Sequence, residues 1–241
     1  MLLPSFLLRR LICFVASALA ITSLVQAQQD VATVAFSCDF PGSNPSHYGF
    51  SVTSIGQASY TSDGRLKTAR IATSDPDSDS VASSSGEGDA PIVFALTTAT
   101  TSHIFVLAKA ARYFEGNIDS RKKNIASTGE KILTYREAGK TNVANYNYSL
   151  IPAVQELTTL FQNLSSAVEF GRRLDYEYHY QKLALDEEMK RMEDTTTLQD
   201  VGPDLPAAAP VLQKIADDPS VINLVRARAM RLLQRAGANG K

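Results

Sequence analysis

The chain has 241 residues, with 24 lysines and arginines against 25 aspartates and glutamates and a formal net charge of −1. That length holds one domain with a substantial core, or a domain with an appendage. Residues 1–27 carry two arginines and no acid, so the remainder has 22 basic and 25 acidic residues. A balance of that sign argues against nucleic-acid binding through a general electrostatic field.

In chain order, residues 1–27 have the layout of a secretory signal. Arg9 and Arg10 form a short basic start, Leu11 to Val25 an apolar run, and Val25-Gln26-Ala27 the small residues of a cleavage site. The run is short for a membrane span. Cleavage near Ala27 and a secreted or periplasmic location are therefore expected, over an uncleaved anchor or an organelle-targeting peptide. Cleavage removes Cys13 and leaves Cys38 alone, so the fold stands without an internal disulfide and Cys38 is expected to be a buried or strand-end residue.

Residues 31–40 are rich in Val and Phe and predict a strand, followed by a turn over Pro41 to Pro45. HYGFSVTSI and QASYT predict two short strands around Gly56, and LKTARIAT another after the turn Asp63-Gly64. Residues 74–90 are nearly free of apolar side chains and read as a mobile surface loop. Within it, Asp75, Asp77 and Asp79 alternate as calcium ligands do. The EF-hand spacing fails, because Ser80 stands where the turn glycine belongs and Gly86 where a bidentate acid belongs. A solvated acidic loop is the expectation.

PIVFALTT predicts a buried strand, and Ser102 to Phe114 a helix with Phe105, Ala108 and Ala111 on one face. A second hairpin, EKILTYR and NVANYNY around Ala138-Gly139, leads into the longest element of the chain. Val154, Leu157, Phe161, Leu164 and Val168 recur at helical spacing, with Pro152 in the first turn and Ser149 as a cap. The stripe continues past Gly171 as Leu174, Tyr178, Leu185, Met189 and Met192. A straight helix over 152–195 would be roughly 66 Å long, against a diameter of about 44 Å for a globule of this size. It is therefore expected to bend near Gly171 or to project. Its second half is kept wet by the pairs Asp186–Lys190 and Glu187–Arg191. The narrow stripe left over suits one covering helix or a second subunit.

After the polar linker TTTLQDVGPDLP, two helices are expected at 206–217 and 219–236, with Asp218-Pro219 as cap and first turn and Gly237 as stop. PVLQKIADDPSVINLVRARAMRLLQRA is similar to a single HEAT-type helical repeat, which needs a neighbour to stack on. Arg226, Arg228, Arg231 and Arg235 make the last helix basic, as the solvated face of a docked helix or as a surface for an anionic membrane.

Hairpin-then-helix occurs twice, which predicts an α+β fold: a small antiparallel sheet of hairpins with helices on one face, one long helix and a C-terminal helical pair. The expected organisation is a signal peptide over 1–27, an α+β domain over 28–170 and a helical extension over 171–241. The SC start, the hairpin near Gly56, ALTTATTSHIFVLAKAARYFEGNID and the NYNYS…VQELTTLFQNLSS…FGRRL block resemble a family of uncharacterised secreted bacterial proteins, a domain of unknown function, over 31–195. That resemblance implies no activity, cofactor or site residue.

Catalytic motifs are absent from the sequence: it has no HExxH, CxxC pair, GxSxG or phosphate loop, and its histidines at 47, 103 and 179 are scattered. Asp175 and His179 stand four apart and could share a helix face as metal ligands, given a third ligand from elsewhere. The competing reading is a tyrosine-rich surface pressed against another helix. No cofactor is expected. The sequence favours a non-enzymatic protein that associates with a protein partner, or with itself, through its C-terminal helices. Two alternatives are an envelope polysaccharide- or peptide-binding module using Tyr48, Tyr60 and Tyr135, and an enzyme with an unrecognised carboxylate site.

Overall fold

Alternation of apolar and small polar residues at period two builds the sheet. A computed structural model of the chain describes residues 31–64, 90–121, 127–194 and 207–238. The signal segment, the strand-like run 66–73, and Asp75, Asp77 and Asp79 lie outside the described residues. Six strands, β1 (Thr33–Asp39), β2 (His47–Thr53), β3 (Gln57–Ser62), β4 (Ile92–Ala95), β5 (Glu130–Glu137) and β6 (Lys140–Tyr146), form one sheet in the order β4-β3-β2-β1-β5-β6. Every neighbouring pair is antiparallel. A three-residue loop, Ser54-Ile55-Gly56, and a two-residue turn, Ala138-Gly139, close the hairpins, with Gly56, Ala138 and Gly139 all at positive φ.

Register aligns the inward residues across strands. Phe36 stands opposite Phe50 on one side and Leu133 on the other, and Phe50 opposite Tyr60. Cys38 is buried on the same face, and burial pushes its thiol pKa up, the state of an unreactive packed thiol. PIVFALTT supplies β4, but as an edge strand rather than a buried one: Val93 is exposed while Ile92 and Phe94 are partly covered. Only one side of a four-residue strand at the sheet's margin meets a neighbour, so continuous apolar sequence overstated its burial.

The first helix, α1 (Thr98–Ala110), begins four residues earlier than the sequence suggested because Thr97 caps it through a bond from Thr100 N. It also stops earlier. Arg112, Tyr113 and Phe114 all take positive φ in a short left-handed turn, which puts Phe114 in the core. Ile104, Leu107 and Ala108 carry its buried face, with Phe105 only partly covered.

The long helix α2 (Pro152–Tyr180) has 29 residues, about 43 Å at 1.5 Å per residue. Pro152 opens it as expected, but Ile151 is its N-cap, with no side-chain hydrogen bond; Ser149 instead takes the Ile151 N–H. Val154, Leu157, Phe161, Leu164 and Val168 are all buried under the sheet, with the Phe161 ring stacked on Phe36 at 5.0 Å and 3°. Helix α2 continues unbroken through Gly171. A Cβ there would stand 3.4 Å from Ala208, so the glycine serves close approach of the C-terminal segment rather than a bend. Its propensity cost of about 1 kcal/mol is small beside the burial of Phe170 and Leu174 on either side.

The break comes instead at Gln181, which leaves helical geometry at φ −146°. A turn through Ala184 then starts α3 (Leu185–Asp194). The C-terminal helices α4 (Ala209–Asp217) and α5 (Asn223–Ala238) follow. Asp218 does not start α5. Its carboxylate accepts from the Ser220 N–H and hydroxyl within the connecting turn, and α5 extends past Gly237 to Ala238.

Two buried clusters result. The first lies between the sheet and helices α1 and α2. The second joins Phe170, Leu174, Leu185, Met189 and Met192 to Leu212, Ile215, Val225, Ala229 and Leu232. The stripe read from the sequence is therefore covered within the chain by α4 and α5, with Tyr178 packed partly against it. The expected surface pairs on α3 give way to ion pairs across this junction. Asp186 meets Arg228 at 2.7 Å, Glu193 meets Arg228 and Arg231, and Glu188 takes Arg191 three residues on. The basic face of α5 is thus partly spent on docking.

Candidate functional site

Between α2 and α4 lies a groove of about 620 Å³. Ile92, Val168, Ala207, Pro210 and Val211 give it an apolar floor, and Arg172, Asp175, Tyr176, His179, Tyr180 and Lys214 form its walls and rim. The helical period puts Arg172, Asp175, Tyr176, His179 and Tyr180 on one side of α2, because steps of three and four return to the same face. Gly171 lets α4 approach closely at the groove's base.

The tyrosines form a pair. Tyr176 and Tyr180 have ring centroids 5.0 Å apart at 43°. Tyr180 is 74% exposed and the nearby Leu183 is 91% exposed. The Arg172 guanidinium is anchored by Ser62 Oγ at 2.8 Å and Glu169 Oε1 at 3.0 Å. Lys214 Nζ stands 3.4 Å from Asp175 Oδ1 and 5.7 Å from the Tyr178 ring centroid. The groove therefore offers apolar depth, an aromatic rim and charged groups that already have partners.

Asp175 and His179 are brought together, but as helix neighbours. His179 Nδ1 is 2.7 Å from the Asp175 carbonyl and 3.8 Å from its carboxylate. Among the described residues no group of three His, Cys, Asp or Glu side chains is placed to hold a metal ion. The tyrosine surface divides: Tyr178 donates to Asp218 at 2.9 Å and joins the packing, whereas Tyr176 and Tyr180 line the groove. Lys182, Ser220 and Tyr178, in that order, hold the Asp218 carboxyl well below the usual carboxylate range. Tyr48, Tyr60 and Tyr135, expected on an exposed sheet face, are buried on its inner face. Period two places them beside Phe36, Phe50 and Leu133, and burial raises all three phenols, Tyr135 to about 12.

Polar groups not singled out from the sequence cluster on the adjoining face of α2, next to the groove wall. Glu169 is buried and accepts from Tyr60 at 2.9 Å, Ser62 at 2.7 Å and Arg172 at 3.0 Å, while Ser165 bonds the Tyr60 hydroxyl at 3.0 Å. Glu188 is buried and held by Arg173 at 2.6 Å and Arg191 at 2.8 Å. These two carboxylates share the lining of a cavity of about 250 Å³. Beside them, Glu177 Oε2 is buried without a hydrogen-bond partner. Burial, then the nearby Glu188 charge, lift the Glu177 carboxyl from 4.5 to about 7. The spacings Glu169–Arg172, Glu169–Arg173 and Arg173–Glu177 were visible as steps of three and four; the pairing with α3 depended on a break that the sequence does not mark.

Among the described residues, no helix is long and apolar enough to cross a membrane. Compared with protein-family models, curated proteins and solved structures, the chain matches none.

Proposed function

We propose that this is a non-enzymatic protein of the secreted or periplasmic compartment that associates with a protein partner through the groove between α2 and the C-terminal helices. The observation that carries this reading is the Tyr176–Tyr180 pair, half-buried and exposed respectively, standing over an apolar floor. Concave apolar sites edged by aromatics and a few polar groups are where proteins bind ligands and anchor side chains. An exposed tyrosine beside an exposed leucine adds an apolar margin without a covering element among the described residues. The occupant that fits is a protein segment that inserts one aromatic or branched apolar side chain between Ile92 and Val211 and lays its backbone along the tyrosines. The association stripe inferred from sequence contributes indirectly: its burial against α4 and α5 builds the groove wall. The compartment rests on the basic start, apolar run and small-residue site of residues 1–27.

Selection of displayed random peptides on the native protein tests the reading. Enriched peptides should share an apolar or aromatic anchor, and Tyr176→Ala with Tyr180→Ala should weaken them at least tenfold without changing the melting curve. Failure to enrich a common anchor, or enrichment indifferent to both substitutions, would refute the groove. Concentration-dependent sedimentation abolished by Tyr180→Ala would identify a second copy of the chain as the occupant.

A further inference from the structure

We propose that the free edge of β6 pairs with β6 of a second copy of the chain, antiparallel and about a two-fold axis at Val143, so that two sheets join into one. The two edges of the sheet differ. At one end, β4 has four residues and follows Pro91, a short edge of the kind that resists pairing. At the other end, β6 has seven residues in unbroken register with β5. Val143, at its centre, is 58% exposed. Charge, proline and bulge, the usual devices against strand addition, are all absent from Thr141 to Asn145.

Turn geometry decides which backbone groups are free. Ala138 and Gly139 both take positive φ in a two-residue turn, which makes Glu137 and Lys140 a pair that exchanges both hydrogen bonds. Alternation then points the N–H and C=O of Lys140, Asn142, Ala144 and Tyr146 at β5, and those of Thr141, Val143 and Asn145 away from it. Among the described residues, those three make no backbone hydrogen bond to another part of the chain. The opening is bounded. Asp119 Oδ1 accepts from the next outward N–H, that of Asn147, at 3.2 Å, and Tyr148 O accepts from Ser120 N at 2.8 Å. At the other end the chain turns away, and Glu115 holds Lys140.

A window of this shape matches itself. Antiparallel pairing centred on Val143 sets it opposite the partner's Val143, and sets Thr141 opposite the partner's Asn145 in both directions. The N–H and C=O groups of Thr141, Val143 and Asn145 in one copy then meet the C=O and N–H groups of the same three residues in the other. A shift by two residues leaves a third of them unpaired. On the outer face valine meets valine, and a threonine hydroxyl meets an asparagine amide. Symmetry thus supplies the full complement of partners, which makes a second copy the occupant that fits. Contact along one strand stays below the roughly 1,000 Å² of a lasting complex, so the dimer is expected to be reversible. The proposal is independent of the groove, which borders Ile92 on β4 at the opposite edge of the sheet.

Sedimentation velocity of the purified chain, from low micromolar to millimolar concentration, should show a monomer–dimer equilibrium. Val143→Pro deletes an outward N–H while the bonds to β5 stay, and it should abolish the dimer. Because a proline can also disturb the strand, two charged variants at this exposed position complete the test. Val143→Lys and Val143→Glu should each weaken association at least tenfold with unchanged melting curves, since like charges then face each other across the axis. Mixing these two variants should restore association. A chain that is monomeric throughout, a dimer indifferent to these substitutions, or a mixture that fails to associate overturns the proposal. Dimerisation lost in Tyr180→Ala but retained in Val143→Pro would also overturn it, and would place the second copy in the groove. So would displayed random peptides that bind a chain remaining monomeric and lose that binding in Val143→Pro, which would assign the edge to an extended segment of another protein.

Discussion

At the scale of single residues, Glu177 carries the clearest pH signature. Its carboxyl titrates at about 7 in the folded chain, against 4.5 for the ordinary group, chiefly through burial and then through Glu188, with Arg173 and Arg191 opposing and Glu187 adding. A raised folded pKa means that the native state binds the proton more tightly. Its contribution is complete below about pH 4.5 and is lost as pH rises through 7. A shift of this size corresponds to about 3 kcal/mol, which solvent screening of a half-buried group reduces to about 1–2 kcal/mol. Glu177→Gln should therefore flatten the fall in stability between pH 5 and 7.5 and leave the variant more stable at pH 8, as read by urea denaturation across that range. A variant that tracks the parent at every pH would show that Glu177 is solvated. Glu169 is the opposite case: Tyr60, Ser62 and Arg172 satisfy it. Glu169→Ala strands a mostly buried guanidinium and should cost about 3 kcal/mol in the same assay. Asp175 and His179 were the pair that spacing picked out. Spacing alone does not say which side of α2 faces solvent, so the carboxylates that matter for stability went unmarked.

Elements with a strict period were the legible ones. The strands of both hairpins alternate, and their glycines sit at the turns, so their pairing could be read directly. The stripe from Val154 to Val168 was equally plain, because each of its residues meets the sheet. The end of α2 was not. The break falls in Gln181-Lys182-Leu183-Ala184, which contains no glycine or proline. It arises because Leu185 and Met189 turn inward against α5 while Leu183 is left in solvent. Gly171 attracted the expectation of a bend because glycine is a poor helix former, yet its role is contact. With Ala208 3.4 Å from the position of an added Cβ, a methyl group fits in ordinary contact and a larger side chain does not. Gly171→Ala should raise stability by about 0.5–1 kcal/mol. Gly171→Leu should lower it by about 1–3 kcal/mol by forcing α4 outward. Thermal melts of the pair measure both signs. Destabilisation by alanine would mean that α4 has no room to give.

For the whole molecule, the question is whether two hydrophobic clusters behave as one. They share α2: Val168 belongs to the cluster under the sheet and Phe170 to the cluster under α4 and α5, two residues further along the same continuous helix. Between them, Glu169 bonds back to Tyr60 on β3 and to Ser62 at its end. The sequence showed the second stripe as a surface wanting a cover and left open whether a helix of the same chain or another subunit provided it. Amphipathic pattern specifies a face, not its partner, and the separation along the chain from Leu174 to Leu212 hides the contact. Because α2 cannot lose its second half without exposing the end of the first cluster and opening the Glu169 network, unfolding should be cooperative across both. Leu133 and Leu212 are fully buried, one in each cluster. Leu133→Ala and Leu212→Ala should each cost about 2–5 kcal/mol and shift one common transition. The chain lacks tryptophan, so tyrosine fluorescence and far-ultraviolet circular dichroism are the two probes to overlay. Coincident curves in both variants are the expected outcome. A separate early step confined to Leu212→Ala would instead make residues from Phe170 onward an independently melting unit, and the groove would then lose one wall before the sheet unfolds.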